Sequence, residues 1–185
     1  MKTIHYYMSP GSPWTYLGHA RLEDMAKRHG ATVLVKPVDF GVIFPQSGGL
    51  PLPKRAPQRQ AYRLVELRRW KDFLGLPLVV QPKFFPVDAT AAASLIAAAP
   101  EEKRMALAGD LLSVLWKEDR NLADPGVLEE VGAKHGVRSG DRSAYEAFTQ
   151  EALKRNVFGA PTYVYNDEIF WGQDRLDFLD RALKK

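Results

Sequence analysis

The chain contains no cysteine, so it forms no disulfide and cannot exchange thiols through a sulfur of its own. Any thiol chemistry must use a thiol brought by another molecule. Long apolar runs are also missing. The alanine-rich stretch 89–99 is too short to cross a bilayer, and MKTIHYYMSP lacks the apolar centre of a secretory leader. The expectation is a cytoplasmic protein with no membrane partner. Internal repeats, low-complexity tracts and a Gly-x-Ser-x-Gly nucleophile elbow are absent too.

What is present suits an ordinary globular chain. With 185 residues, 45 % hydrophobic and 26 % charged, the protein is long enough to bury roughly 70 % of its unfolded surface. It reads as one domain, or one domain carrying a large insertion. The net charge of +4 is concentrated. Between Lys54 and Asp72, seven basic residues face only Glu66 and Asp72, a local excess of +5 that leaves −1 for everything else. Leu64, Leu67, Trp70 and Leu74 interleave with these charges at helical spacing. That pattern describes a solvated helix face or a small-anion site; the patch is too short to favour nucleic acid as a partner.

Periodicity predicts a strand over 3–8, a helix over 13–29 closed by Gly30, and a strand over 31–36 stopped at Pro37. The proline- and glycine-rich text from about 43 to 60 reads as loop. Helices are expected over 59–74, 88–98, 101–118, 124–135 and 141–155. Asp124-Pro125 starts the fourth of these and Gly136 closes it. PTYVYN and EIFW then read as strands around a two-residue turn at Asn166-Asp167, before a last helix over 174–184. The order is β-α-β, a helical block, then β-β-α: an α/β fold whose small sheet is divided in sequence by an inserted helical domain.

Ser12, followed by Pro13, stands where the first strand must give way to a helix. A serine there caps the helix, and proline in the first turn loses nothing by lacking an N–H. As a nucleophile Ser12 would need a base within hydrogen-bond reach, and His19 lies nearly two turns farther along the same helix. As a donor to a thiolate it needs no base. Ionising a thiol near neutral pH requires about 2.7 kcal/mol. One charge-assisted hydrogen bond supplies about 1.5–3 kcal/mol, and a helix N-terminus adds about 0.3–1 kcal/mol.

Taken in order, Ser12-Pro-Trp-Thr-Tyr-Leu-Gly, RQAYRLVELRRW with LGLPL, Phe158-Gly-Ala-Pro-Thr and Trp171-Gly-Gln-Asp-Arg-Leu resemble one family across essentially the whole chain. It is the DsbA-like branch of the thioredoxin superfamily, and within it the kappa-class glutathione transferases and 2-hydroxychromene-2-carboxylate isomerases. The resemblance implies a thioredoxin-like domain from residues 1–42 and 156–185, with 43–155 as the inserted helical domain. It also implies glutathione as cofactor and a homodimer.

Residue by residue, the resemblance implies that Ser12 hydrogen-bonds the glutathione sulfur where redox relatives carry a cysteine. Ser9, in a second Ser-Pro one turn earlier, stays open as an alternative. Pro161 is implied to be cis, turning the backbone of Ala160 toward the tripeptide. Gln173 and Asp174 would hold the γ-glutamyl end, although an Asp before a helix is also a common cap. Arg59 would meet the glycyl carboxylate, with Lys54 and Arg55 as alternatives. For the second substrate, an acidic aromatic, Trp116, Phe84, Phe85 and Lys83 are candidates, and core packing is the competing role for the aromatics. The implied reaction is isomerisation by reversible thiolate addition, with glutathione regenerated. A glutathione transferase and a non-catalytic thioredoxin-like binding protein are the alternatives, while thiol–disulfide exchange is excluded by the missing cysteine.

Overall fold

A computed structural model describes residues 1–185. Strand β1 (Thr3–Met8) runs parallel to β2 (Thr32–Pro37), and helix α1 (Pro13–His29) makes the crossover between them. Strands β3 (Thr162–Tyr165) and β4 (Glu168–Trp171) form an antiparallel hairpin, and β3 pairs antiparallel with β1. The sheet order is β2-β1-β3-β4. Between β2 and β3 lie α2 (Phe40–Ser47), α3 (Pro57–Leu74), α4 (Thr90–Ala98), α5 (Glu101–Trp116), α6 (Pro125–His135) and α7 (Arg142–Lys154); α8 (Leu176–Leu183) closes the chain.

Local chemistry explains most boundaries. Ser12, Asp124 and Asp141 cap α1, α6 and α7 by accepting from backbone N–H groups, and Gly30, Gly75 and Gly136 end α1, α3 and α6 in the left-handed conformation. Asn166 and Asp167 both adopt positive φ, the geometry of a two-residue hairpin turn that matches the twist of its strands.

Two expectations need correction. The stretch read as loop from about 43 to 60 holds most of α2, a 3-10 turn over Leu52–Lys54 and the start of α3 at Pro57. Asp39 caps α2 by accepting from Gly41 N–H at 2.8 Å, and Phe40 tilts against Phe44 one turn on. The helix therefore forms although Pro45 lies within it. At the other end of the chain, residues 173–175 form a 3-10 turn before α8, and the Asp174 side chain caps neither element.

The helices between the strand pairs share a core with the sheet. One cluster joins Ile4, Tyr6 and Met8 of β1 to Leu107, Leu111 and Trp116 of α5 and to Leu179 and Leu183 of α8. On the edge of the sheet beside α7, charge is buried in pairs. Lys36 Nζ donates to both Glu151 carboxylate oxygens at 2.7 Å, and Tyr7 OH donates to the same carboxylate at 2.7 Å.

Candidate active site

The N-terminus of α1 opens into a cleft of about 660 Å³, a size usual for small-molecule sites. One wall comes from the strand hairpin and the start of α1, with Ser9, Ser12, Trp14, Phe158, Ala160 and Trp171. The facing wall comes from α2 to α3 and the segment before α4, with Phe40, Phe44, Arg55, Arg59, Arg63 and Phe85.

Ser12 is half-buried, and its Oγ accepts from Thr15 N–H at 3.3 Å. The cap and a functional role are compatible: an oxygen that accepts from the helix still carries a proton to donate into the cleft. Ser9 lines the same cleft, but its Oγ accepts from Gly11 N–H at 3.3 Å, within the turn and not at the helix start. His19 lies on the buried face of α1, bonded to Tyr6 OH at 3.3 Å and to the Met105 carbonyl at 2.9 Å. It does not reach the cleft, and burial lowers its pKa.

No Asp, Glu, His, Lys, Tyr or Cys lines the cleft. The three arginines are its only charged side chains, and none of them forms an ion pair. Arg55 donates from Nε to the Leu50 carbonyl at 2.8 Å, and burial together with the Arg59 charge lowers its pKa. Arg63 packs its guanidinium on the Phe85 ring, 4.9 Å from the centroid, and leaves Nη2 buried without an acceptor. Burial, and then the Arg55 charge, pushes Arg63 down to about 10. It remains a cation at neutral pH.

Opposite these, Ala160 presents backbone N–H and C=O groups that pair with no other backbone group. The Ala160–Pro161 peptide bond is cis, as is Phe85–Pro86. The structure thus gathers Ser12, Ala160, Arg55 and Arg59 around one space. Lys54 is exposed and outside the cleft lining. Gln173 is buried, and its side-chain oxygen accepts from Arg21 at 2.6 Å. Asp174 is exposed and pairs with the adjacent Arg175.

Of the second-substrate candidates, Phe85 alone lines the cleft. Trp116 is fully buried in the core behind it, Phe84 is exposed, and Lys83 lies at the surface with its backbone N–H on Asp119. The basic stretch divides in two. Arg68, Arg69 and Lys71 belong to the outer part of α3, whereas Arg55, Arg59 and Arg63 recur every fourth residue and meet the cleft. The sequence leaves Arg63 within a stretch open to either a solvated helix face or a small-anion site, and its four-residue spacing from Arg59 is the signal that singles it out.

The DSBA-like thioredoxin domain profile matches residues 3–184. A protein named 2-hydroxychromene-2-carboxylate isomerase from Sphingobium xenophagum is 29 % identical over 193 residues, covering 98 % of each chain. One of the same name from Pseudomonas putida is 29 % identical over 198 residues, covering 97 % of this chain and 93 % of the relative. A solved structure of selenomethionine 2-hydroxychromene-2-carboxylate isomerase superposes with a TM-score of 0.80 at 27 % identity, covering 98 % of this chain and 94 % of that one.

Proposed function

Because the chain belongs to the DSBA-like thioredoxin domain family and resembles isomerases over nearly its full length, we propose that it is a glutathione-dependent isomerase. Its substrate on this reading is of the 2-hydroxychromene-2-carboxylate type, converted to the trans-o-hydroxybenzylidenepyruvate form. One observation carries the reading. The cleft combines a serine at a helix N-terminus with three unpaired arginines, and it contains no acid, base or thiol of its own.

Such a site binds anions and stabilises a thiolate, yet it must receive the reactive group from outside. The residues present fit glutathione. Ser12 Oγ donates toward the sulfur, and the α1 N-terminus favours its negative charge. The unpaired Ala160 backbone offers an edge to a peptide. Arg59, with Arg55 beside it, meets the glycyl carboxylate. Asp174 and Gln173 lie outside the cleft lining, and Asp174 would meet the γ-glutamyl ammonium only in competition with Arg175. Bound glutathione would supply a thiolate for reversible addition to a conjugated carbon: with the ring C–O bond of the hemiketal opened to a phenol and a ketone, rotation about the resulting single bond and loss of the thiolate would give the trans isomer, so no atom or electron is consumed.

The test is the ultraviolet change of 2-hydroxychromene-2-carboxylate mixed with the protein and reduced glutathione. Turnover is expected with glutathione and not with S-methylglutathione, whose sulfur is blocked. Equal rates with and without the free thiol would overturn the cofactor assignment. Accumulation of a stable conjugate without isomer would make the protein a transferase.

A further inference from the structure

Three cations share one cleft without a single carboxylate, yet one tripeptide has only two carboxylates and an ammonium to offset them. Arg63 is the most enclosed of the three. The neighbouring basic residues of α3, Arg68, Arg69 and Lys71, are free of the cleft, whereas Arg63 lies over the Phe85 ring with Nη2 buried and unbonded. Phe85 is itself held, because its ring packs at 5.1 Å against the fully buried Trp116. The guanidinium is therefore fixed in place before any ligand arrives. An unpaired, partly desolvated cation destabilises the free protein, which is the mark of a binding group and not of a structural one.

Resting on the glutathione reading above, we propose that Arg63, positioned by Phe85, is the carboxylate anchor for the second substrate and selects aromatic acids over their neutral counterparts. The surroundings of Arg63 favour this ligand over the tripeptide. The ring surface beside it is Phe85, while the free peptide edge at Ala160 lies on the facing wall. Glutathione with an ionised thiol carries a net charge of minus two, and an aromatic monocarboxylate carries minus one. Together they match the three arginines. Arg63 binds in this account, and Phe85 acts through it.

The experiment measures binding of 2-hydroxycinnamate and of 2-hydroxycinnamamide by quenching of tryptophan fluorescence, with saturating S-methylglutathione and also without it. The wild-type protein is expected to prefer the acid by about tenfold, the size of one charge-assisted hydrogen bond. Arg63→Gln reduces that ratio to within about twofold, leaves the thermal shift produced by glutathione in place, and raises the ligand-free melting temperature by about 2–4 °C by removing a buried unpaired charge. Arg63→Lys keeps charge without the planar fork and gives an intermediate ratio. Phe85→Leu weakens the acid more than the amide. An unchanged acid-to-amide ratio in Arg63→Gln, a wild type without preference, or a lower ligand-free melting temperature in both Arg63 variants would overturn the proposal. Loss of the glutathione shift in Arg63→Gln with the acid preference intact would also overturn it, by moving Arg63 to the tripeptide. Absence of any glutathione shift in the wild type would refute the cofactor reading alone, because the ratio measured without S-methylglutathione still tests Arg63.

Discussion

The charges beside α7 and those in the cleft are built in opposite ways. Beside α7, Lys36 is held by both oxygens of Glu151, and Tyr7 and Arg155 satisfy the same carboxylate. In the cleft, Arg55, Arg59 and Arg63 lie close together with no anion among the lining residues. The first arrangement is complete in the free protein and fastens a helix to the sheet. The second is complete only when a ligand supplies the missing charge. A buried cation that keeps its partner reads as structure, and one that lacks a partner reads as recognition.

The largest expected effect lies on the complete side. Glu151→Ala leaves the buried Lys36 without a counter-charge and with only the His5 ring nitrogen at 3.0 Å as partner, and it should destabilise the fold by about 2–3 kcal/mol, less than a fully buried pair because the carboxylate is about a third exposed. The denaturant midpoint reads this directly, and the double change Lys36→Met with Glu151→Leu should recover most of the loss. If Glu151→Ala were neutral, the contrast between the two groups would not hold.

Changes in the cleft should touch function instead. Ser12→Ala removes a donor to the thiolate and should lower turnover by about tenfold or more, while loss of the cap costs about 0.5–2 kcal/mol of stability. Full activity in Ser12→Ala together with an inactive Ser9→Ala would move the reacting group to the earlier serine. Arg59→Ala should weaken glutathione binding several-fold in a thermal-shift titration, with ligand-free stability within about 0.5 kcal/mol of wild type, because Arg59 is exposed and unpaired. Asp174→Asn should weaken it less, since Arg175 already shares that carboxylate.

The features legible in the sequence obey local rules. Ser12-Pro13, Asp124-Pro125, Gly30 and Asn166-Asp167 each act within a few residues, and each lies where those rules place it. Helix α2 was hidden because Pro45 and the glycines after it read as loop, whereas the Asp39 cap and the burial of Ile43 outweigh them. The partner of Gln173 could not be read at all: Arg21 is 152 residues away in sequence and reaches it only through the packing of α1 on the last turn. Arg63 lies between these cases. Its spacing marks a face, but which face meets Phe85 is a property of the assembled chain.

The smallest effect concerns pH, and it separates the two charge groups without any change to the cleft. Burial and then the Lys36 charge lower the pKa of His5 below its ordinary 6.5. The unfolded chain therefore takes up a proton before the folded one does, and stability is lost as pH falls below about 6.5. Burial pushes the Glu151 carboxyl up, but hydrogen bonds from Lys36 and Tyr7 outweigh it and hold the pKa below the ordinary 4.5. That contribution is present above pH 4.5 and disappears as the pH falls through the lower folded value. The melting temperature should decline in two stages on acidification, a shallow one below about 6.5 and a second below about 4.5. Burial lowers the His19 pKa as well, so His5→Gln should reduce the shallow stage without abolishing it and spare the second. Arg63 titrates at about 10 and stays charged throughout, so 2-hydroxycinnamate binding should keep its acid-over-amide ratio from pH 8 to 6. A ratio that declined along with the shallow stage would mean that the sheet-side charges and the cleft are coupled, and the two groups would no longer be separate devices.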